Sequence, residues 1–239
     1  MAIRTRMTMA MIINTTIMPM ADLASNTALV RLMTWLSPAF PVGAFSYSHG
    51  IERAVHDGLI HDKASLQDWL VDLMNHGSVW NDAVLFTASW RDTGGRCVEE
   101  SELGEAMAGS KERHMETMLQ GNAFLQAVEH WSNAESSVAR EMPYPVAVAM
   151  VAARNKVACE PALAAYLHAV VSNLIQGAVR LVPLGQSHGV SLMAAMETQI
   201  LAVTERAARS SLDNLGSAAI MSDIMAMQHE TQYSRVFRS

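Results

Sequence analysis

Nineteen consecutive residues, Pro161 to Val179, carry no charged side chain. A run this long and apolar either spans a bilayer, which takes about 20 apolar residues, or lies inside a protein. Its polar residues decide between the two. His168, Ser172 and Gln176, followed by Arg180, recur at every fourth position, which places them on one stripe of a helix. The remaining faces carry Leu163, Leu167, Val170, Val171, Leu174 and Ile175. This pattern predicts the central helix of a helical bundle and no membrane span. Pro161 fits its first helical position, and Pro183-Leu184-Gly185 ends it.

The rest of the chain repeats the helical period. In the segment 63–77, Leu66, Trp69, Leu70, Leu73 and Met74 fall on one face. Ser65 with Asp68 reads as its N-terminal cap, and Gly77 as its C-terminal glycine. Further helices are predicted over about 79–91, 111–131 and 189–211, with a short acidic helix between Asp92 and Glu116. Gly121 lies inside the helix 111–131, where glycine costs about 1 kcal/mol relative to alanine; its presence points to a close approach of another element. Val146–Ala153 has the β-branching of a buried strand, but Ala and Met fill its alternate positions, so helix is preferred. The expected fold is an all-α single domain of about eight to ten helices. Its expected bounds are 23–228, with a Met-rich extension over 1–22 and a tail over 229–239.

Composition excludes several function classes. Of 239 residues half are hydrophobic, so the chain is not intrinsically disordered. Seventeen basic against 23 acidic residues give a net charge of −6 with no basic run, which argues against nucleic-acid binding and against a helix-turn-helix regulator. Two distant cysteines cannot build a disulfide scaffold or a four-cysteine zinc site. No phosphate-cradling G-x-x-x-x-G-K-[ST] loop occurs. His229-Glu230 is not a zinc-binding H-E-x-x-H, since Tyr occupies position 233. The nine histidines are scattered, and no metal site is expected. The chemistry left to an enzyme would be that of a helical hydrolase or lyase with a buried His49 or His188.

Three segments resist explanation as ordinary connections. Leu36–Glu52, LSPAFPVGAFSYSHGIE, is an apolar loop where loops are normally polar. Pro183–Gly189, PLGQSHG, joins two helices poor in charge. The last eleven residues, HETQYSRVFRS, end in aromatic and basic side chains of the kind enriched in interface hot spots. These three, with KERHMETMLQGNAF from Lys111 onward, resemble in order the UreF family of urease accessory proteins, over about Leu29 to Ser239. The sequence departs from the family pattern at Val190, where relatives commonly have Gln, and at Val236, where Leu is usual.

The resemblance implies an all-α, homodimeric protein that is not itself an enzyme; a cytoplasmic location is expected from the reading of 161–179 as a core helix and not a membrane span. It implies binding to the accessory protein UreD (also called UreH), recruitment of the GTPase UreG, and delivery of nickel to the urease apoprotein. No cofactor would be held stably by this chain, and nickel would be handled by the complex. Expected partner-binding residues are Tyr47, Ser48 and Glu52 in the loop and Tyr233, Arg235 and Phe237 in the tail. The tail is expected to be mobile until a partner orders it. His168, Ser172, Gln176 and Arg180, with Gln186 and His188, are expected either to line a hydrated polar path inside the helical body or to form an ordinary solvated helix face. The helices 161–182 and 189–211, poor in charge, are the expected surface of self-association.

Overall fold

The computed structural model of the chain describes residues 20–92, 94–131 and 141–239. Residues 1–19, which hold most of the expected extension, lie outside the described residues. The described residues form ten α-helices, three single 3₁₀ turns and no strand. The helices are α1 (Met20–Trp35), α2 (Ile51–His56), α3 (Lys63–His76), α4 (Ser78–Arg91) and α5 (Val98–Ala106). They continue with α6 (Lys111–Ala127), α7 (Tyr144–Arg154), α8 (Cys159–Leu181), α9 (Gln186–Ala207) and α10 (Ile220–His229). The all-α expectation holds, and the 146–153 segment is helical.

The helix at the centre differs from the expected one. Every residue of α7 from Tyr144 to Ala152 is buried, and the helix is packed among α4, α6, α8 and α5. Its sequence, YPVAVAM, has no polar stripe to turn outward, so it can be wrapped on all sides. In α8 the four-residue polar stripe decides the opposite. His168, Gln176 and Arg180 are exposed and Ser172 is half-buried, while Leu163, Leu167, Val171, Leu174 and Ile175 face inward. Helix α8 is long and apolar enough to cross a membrane, but half of its most apolar window is buried by the protein itself.

Local starts and stops follow capping chemistry. Helix α3 is capped by Asp62, whose carboxylate accepts from Ser65 N at 2.8 Å, with Ser65 returning the bond to the Asp62 N–H. Ser65 is thus the third residue of a capping box, and Asp68 takes no part in it. Gly77 is extended, not left-handed; it lets Ala219 pass close by, at 3.0 Å from where a Cβ would stand. Helix α8 starts two residues before Pro161, still within the first turn, where a missing N–H has no intrahelical partner to lose.

The core is tied together by a chain of rings. Trp131 and Phe124 pack edge-on to Trp35 at 6.1 and 6.5 Å, Phe124 meets Tyr144 at 5.8 Å, Tyr144 meets Tyr166 at 5.5 Å, and Tyr166 meets Phe86 at 5.4 Å. The chain crosses α1, α6, α7, α8 and α4, so a few aromatics link most of the bundle.

Gly121 confirms the expected close approach, with the chain just before α7 as the neighbour. A Cβ there would stand 1.9 Å from the Met142 carbonyl oxygen, a backbone atom that cannot swing aside. Gly121→Ala should therefore destabilise the fold by about 1–3 kcal/mol or more, although alanine favours helix by about 1 kcal/mol. Urea denaturation is the check; a stabilised variant would contradict this packing.

Candidate functional site

The unusual loop and the tail occupy the same place. Gly50, at φ 76°, turns the chain into α2, and its missing Cβ leaves room for α10: a methyl there would lie 2.7 Å from Ala226 N. This contact sets α10 across α2 and delivers the tail to the loop. Two backbone bonds join them, Arg238 N to Ser46 O and Ser48 N to Ser239 O, each 2.7 Å. The Ser48 hydroxyl also donates to Ser239 O.

Beneath this seam lies a buried ionic cluster. His229 is fully buried between two carboxylates, with Nδ1 2.7 Å from Glu112 Oε2 and Nε2 3.2 Å from Glu52 Oε2. Each ring nitrogen thus has a carboxyl group as its hydrogen-bonding partner. Glu52 does more. Its Oε1 accepts from Val236 N at 2.7 Å and its Oε2 from Phe237 N at 2.9 Å, so one side chain holds two tail amides and the ring. Glu112 in turn binds Arg235 through Oε1 at 2.6 Å. Glu230 closes the arrangement by accepting from Lys111 N at 2.8 Å, at the start of α6.

The cluster continues into the bundle along α6. Glu116 binds Arg113 at 2.8 Å and accepts from the Ser239 hydroxyl at 3.1 Å. Arg113 lies 3.8 Å from Asp82, which accepts from Tyr166 OH at 3.0 Å. Burial pushes Asp82 up to about 6, against the opposing pull of Arg113. Burial, helped by Arg113, pushes His49 down to about 4. Burial alone would raise Glu116, but Arg113 and His49 hold it below the usual carboxylate range.

The expected site residues of the loop and the tail are thus brought together. Tyr47, Ser48 and Glu52 are buried, not surface residues. The Tyr47 hydroxyl is raised by burial, with Arg238 as its hydrogen-bonding neighbour. Phe237 is buried against Gly177, and the Arg180 guanidinium stacks 4.4 Å over its ring while donating to Phe45 O at 3.0 Å. Arg235 anchors the tail, and Tyr233 projects fully into solvent.

Two expectations need correction. The tail is seated on its own chain, because Glu52 and Glu112 supply the partners expected from another protein. The stripe His168, Ser172, Gln176 and Arg180, with Gln186 and His188, does not run inside the chain: five of the six residues are exposed and Ser172 is half-buried.

His229, Glu112, Glu116, Arg113 and Asp82 were not singled out from sequence. The available signal was the Glu112, Arg113, Glu116 spacing, which puts three charges on one helical face of a charge-poor chain.

The cluster holds no free base facing a substrate-sized space. The cavity beside His49 is about 60 Å³, well under the 300 Å³ or so at the lower end of small-molecule pockets. Elsewhere Asp92, Cys97 and Glu100 approach one another. Asp92 is engaged by the amides of Gly94, Arg96 and Cys97, and burial pushes the Cys97 thiol up to about 12, which disfavours the thiolate a metal needs.

The UreF family model matches residues 60–197, more than half of the chain. The chain belongs to the UreF family. It is 53% identical over 223 residues to the urease accessory protein UreF of Mesorhizobium japonicum, covering 92% of this chain and all of that protein. It is 56% identical over 217 residues to UreF 1 of Brucella canis, covering 90% and 95%, and 53% identical over 218 residues to UreF 1 of Brucella anthropi, covering 90% and 96%. The buried loop–tail clasp is therefore a feature of a UreF chain, and it joins two of the segments on which the resemblance rested. Both of them, the loop and the tail, lie outside the matched span.

Two predictions follow from this geometry. Glu52→Gln removes a charge facing His229 and leaves one carbonyl where two oxygens served three donors; it should cost about 3 kcal/mol and expose Arg235 to trypsin. Limited proteolysis with mass spectrometry checks this, and an uncut tail would refute it. Acid titration tests the inner end. Below the ordinary imidazole value of 6.5, the unfolded chain takes up a proton that His49, at about 4, refuses, so stability falls with acid in that window. Asp82 acts oppositely: at about 6 it takes a proton when folded before the unfolded carboxyl does at 3.8, so its contribution rises with acid between those values. Asp82→Asn removes the opposing effect, and the variant's melting temperature should fall more steeply than wild type from pH 6 to pH 4.

Proposed function

We propose that this chain is a scaffold for urease maturation, which binds UreD/UreH, recruits the GTPase UreG and couples GTP hydrolysis to nickel delivery into the urease apoprotein. The observation that carries this reading is the clasp. Through Glu52, His229 and Glu112 it fixes the tail against the body while leaving Tyr233 and Val236 exposed. Ile220, Met221 and Met227 of α10 and Met115 and Leu119 of α6 are also exposed. Large apolar side chains on a rigid backbone suit a protein partner, because little ordering entropy remains to be lost on binding.

Self-association fits the outer face of α9. Val190 and Leu201 are 70% and 62% exposed, and Ala194, Ala195 and Ala202 between and beside them are exposed too. A second copy covering this face would also bury part of the exposed α8 stripe, which is how the polar residues there would come to line an interior path. The reading further takes the chain to be cytoplasmic, with nickel as cargo and not as a resident cofactor.

Arg235 separates two versions of the mechanism. As an anchor on Glu112 it shapes the docking surface; as an arginine finger it would reach the phosphates of the GTPase. Its bond to Glu112 favours the anchor. Arg235→Ala should leave the helical fold intact and abolish recruitment of UreG to the complex with UreD/UreH, read by co-purification and gel filtration. Persistent recruitment with GTP hydrolysis reduced by orders of magnitude would overturn the anchor.

A further inference from the structure

Helix α3 uses one face for the core and leaves another that the clasp does not touch. Leu66, Leu70, Leu73 and Met74 are buried, and Trp69, expected to face inward with them, is only half-buried at the edge of the core. Beside it Ser65, Asp68, Asp72 and His76 recur at intervals of three and four, so they share one side of the helix. Asp68, Asp72 and His76 are exposed. This face runs for three turns, about 16 Å at a rise of about 1.5 Å per residue.

An open groove of about 520 Å³ follows it. The apolar wall is Leu59, 41% exposed in the turn between α2 and α3, with Trp69 and Val71, which are backed by the core. The polar wall is Asp68 and Asp72. Like charges four residues apart on a helix repel each other, and the fold does not neutralise them. Among the described residues neither carboxylate has an ion-pair partner, whereas Asp57 is paired with Arg53 and Asp62 is bonded to the Ser65 amide and hydroxyl. Two cations of this region are directed elsewhere. Lys63 opens the same helix on its other side, and Arg206, at the far end, donates to Asn75 O and stacks 3.8 Å over the Trp80 ring. An apolar groove rimmed by two unpaired carboxylates is complementary to a surface that is both apolar and basic.

We propose that this groove docks a basic amphipathic helix of a protein partner, whose Arg side chains meet Asp68 and Asp72 and whose apolar side chains cover Leu59 and Trp69. Side chains four apart on such a helix repeat with the same rise, about 6 Å, that separates Asp68 from Asp72. Arginine suits the site better than lysine, because its planar fork pairs with a carboxylate through two bonds and lies flat on an indole face. A small cation would satisfy the carboxylates but leave Leu59 and Trp69 in water, and a nucleic acid would be repelled. The proposal does not rest on the proposed function: it uses no residue of the clasp, the tail or the outer face of α9.

The experiment uses the full chain and a synthetic probe, an alanine-based helical peptide with Arg at successive fourth positions and Leu beside each. A counterpart carries Glu in place of each Arg. Calorimetric titration reads affinity, and amide NMR shifts of the labelled protein locate the peptide. The expected result is saturable binding of the Arg peptide, with shifts centred on Leu59 and residues 65–76, and no binding of the Glu peptide. Asp68→Asn combined with Asp72→Asn should weaken binding by about tenfold or more while circular dichroism stays that of wild type, and raising salt from about 50 to about 500 mM should weaken it severalfold. Leu59→Ser should also weaken it, which a purely ionic contact would not show. The exposed glutamates of α5 test for acidity alone: Glu99→Gln combined with Glu102→Gln should leave the affinity unchanged. Absence of binding, shifts centred elsewhere, an equal loss in the α5 variant, an unaffected Leu59→Ser protein, or displacement of the peptide by an equal concentration of spermine, which would mark a site for small cations, would each overturn the proposal.

Discussion

The clasp of His229 between Glu52 and Glu112 is the interaction on which the functional end of this molecule depends. An imidazole ring buried between two carboxyl groups is costly to assemble and strongly destabilising to break, because removal of any member leaves ionisable groups without a partner in a dry place. Its three members come from α2, α6 and the end of α10. The ion group therefore ties together three elements, two of which, α2 and α10, also pack directly where Gly50 meets Ala226. It also fixes the tail, since the same Glu52 carboxylate accepts the Val236 and Phe237 amides.

Around the clasp the protein separates two kinds of stabilisation. The bundle is held by apolar burial, with α7 enclosed and a run of aromatic rings crossing five helices. The loop–tail corner is held by charge and hydrogen bonds, from Arg235 at the surface through Glu112, His229 and Glu52, and from Ser239 through Glu116 and Arg113 to Asp82 and Tyr166. Apolar packing tolerates small shifts, whereas hydrogen-bonded ion pairs demand particular distances. A surface meant to present Tyr233 and Val236 in one geometry gains from being built on the second kind.

This division explains why the apolar loop was conspicuous in sequence and why its role was not. Phe40, Val42, Tyr47 and Ile51 in Leu36–Glu52 mark it as buried, and from Tyr47 onward it is, while Pro38, Ala39, Pro41 and Phe45 stay exposed. Their pattern carries no record of what covers the loop, because the cover is a segment 190 or so residues away, joined mainly through backbone amides and one glutamate. Any tail sequence has amides. Likewise the α8 stripe was legible as one helical face, but a face of period four states only that its residues share a direction, not whether that direction is inward.

Periodicity, proline placement and the shortage of charge by themselves determined the helices, the all-α class and the segments that would matter, because these follow from local geometry and from the cost of leaving apolar area in water. Only the tertiary structure decided that α7 and not α8 is the enclosed helix, that the tail is seated on its own loop, and that Glu52, Glu112 and His229 meet. The physical reason is the same in each case: burying a charge requires a partner within hydrogen-bond distance, and a chain of 239 residues specifies such partners by how its helices pack, not by their spacing along the sequence.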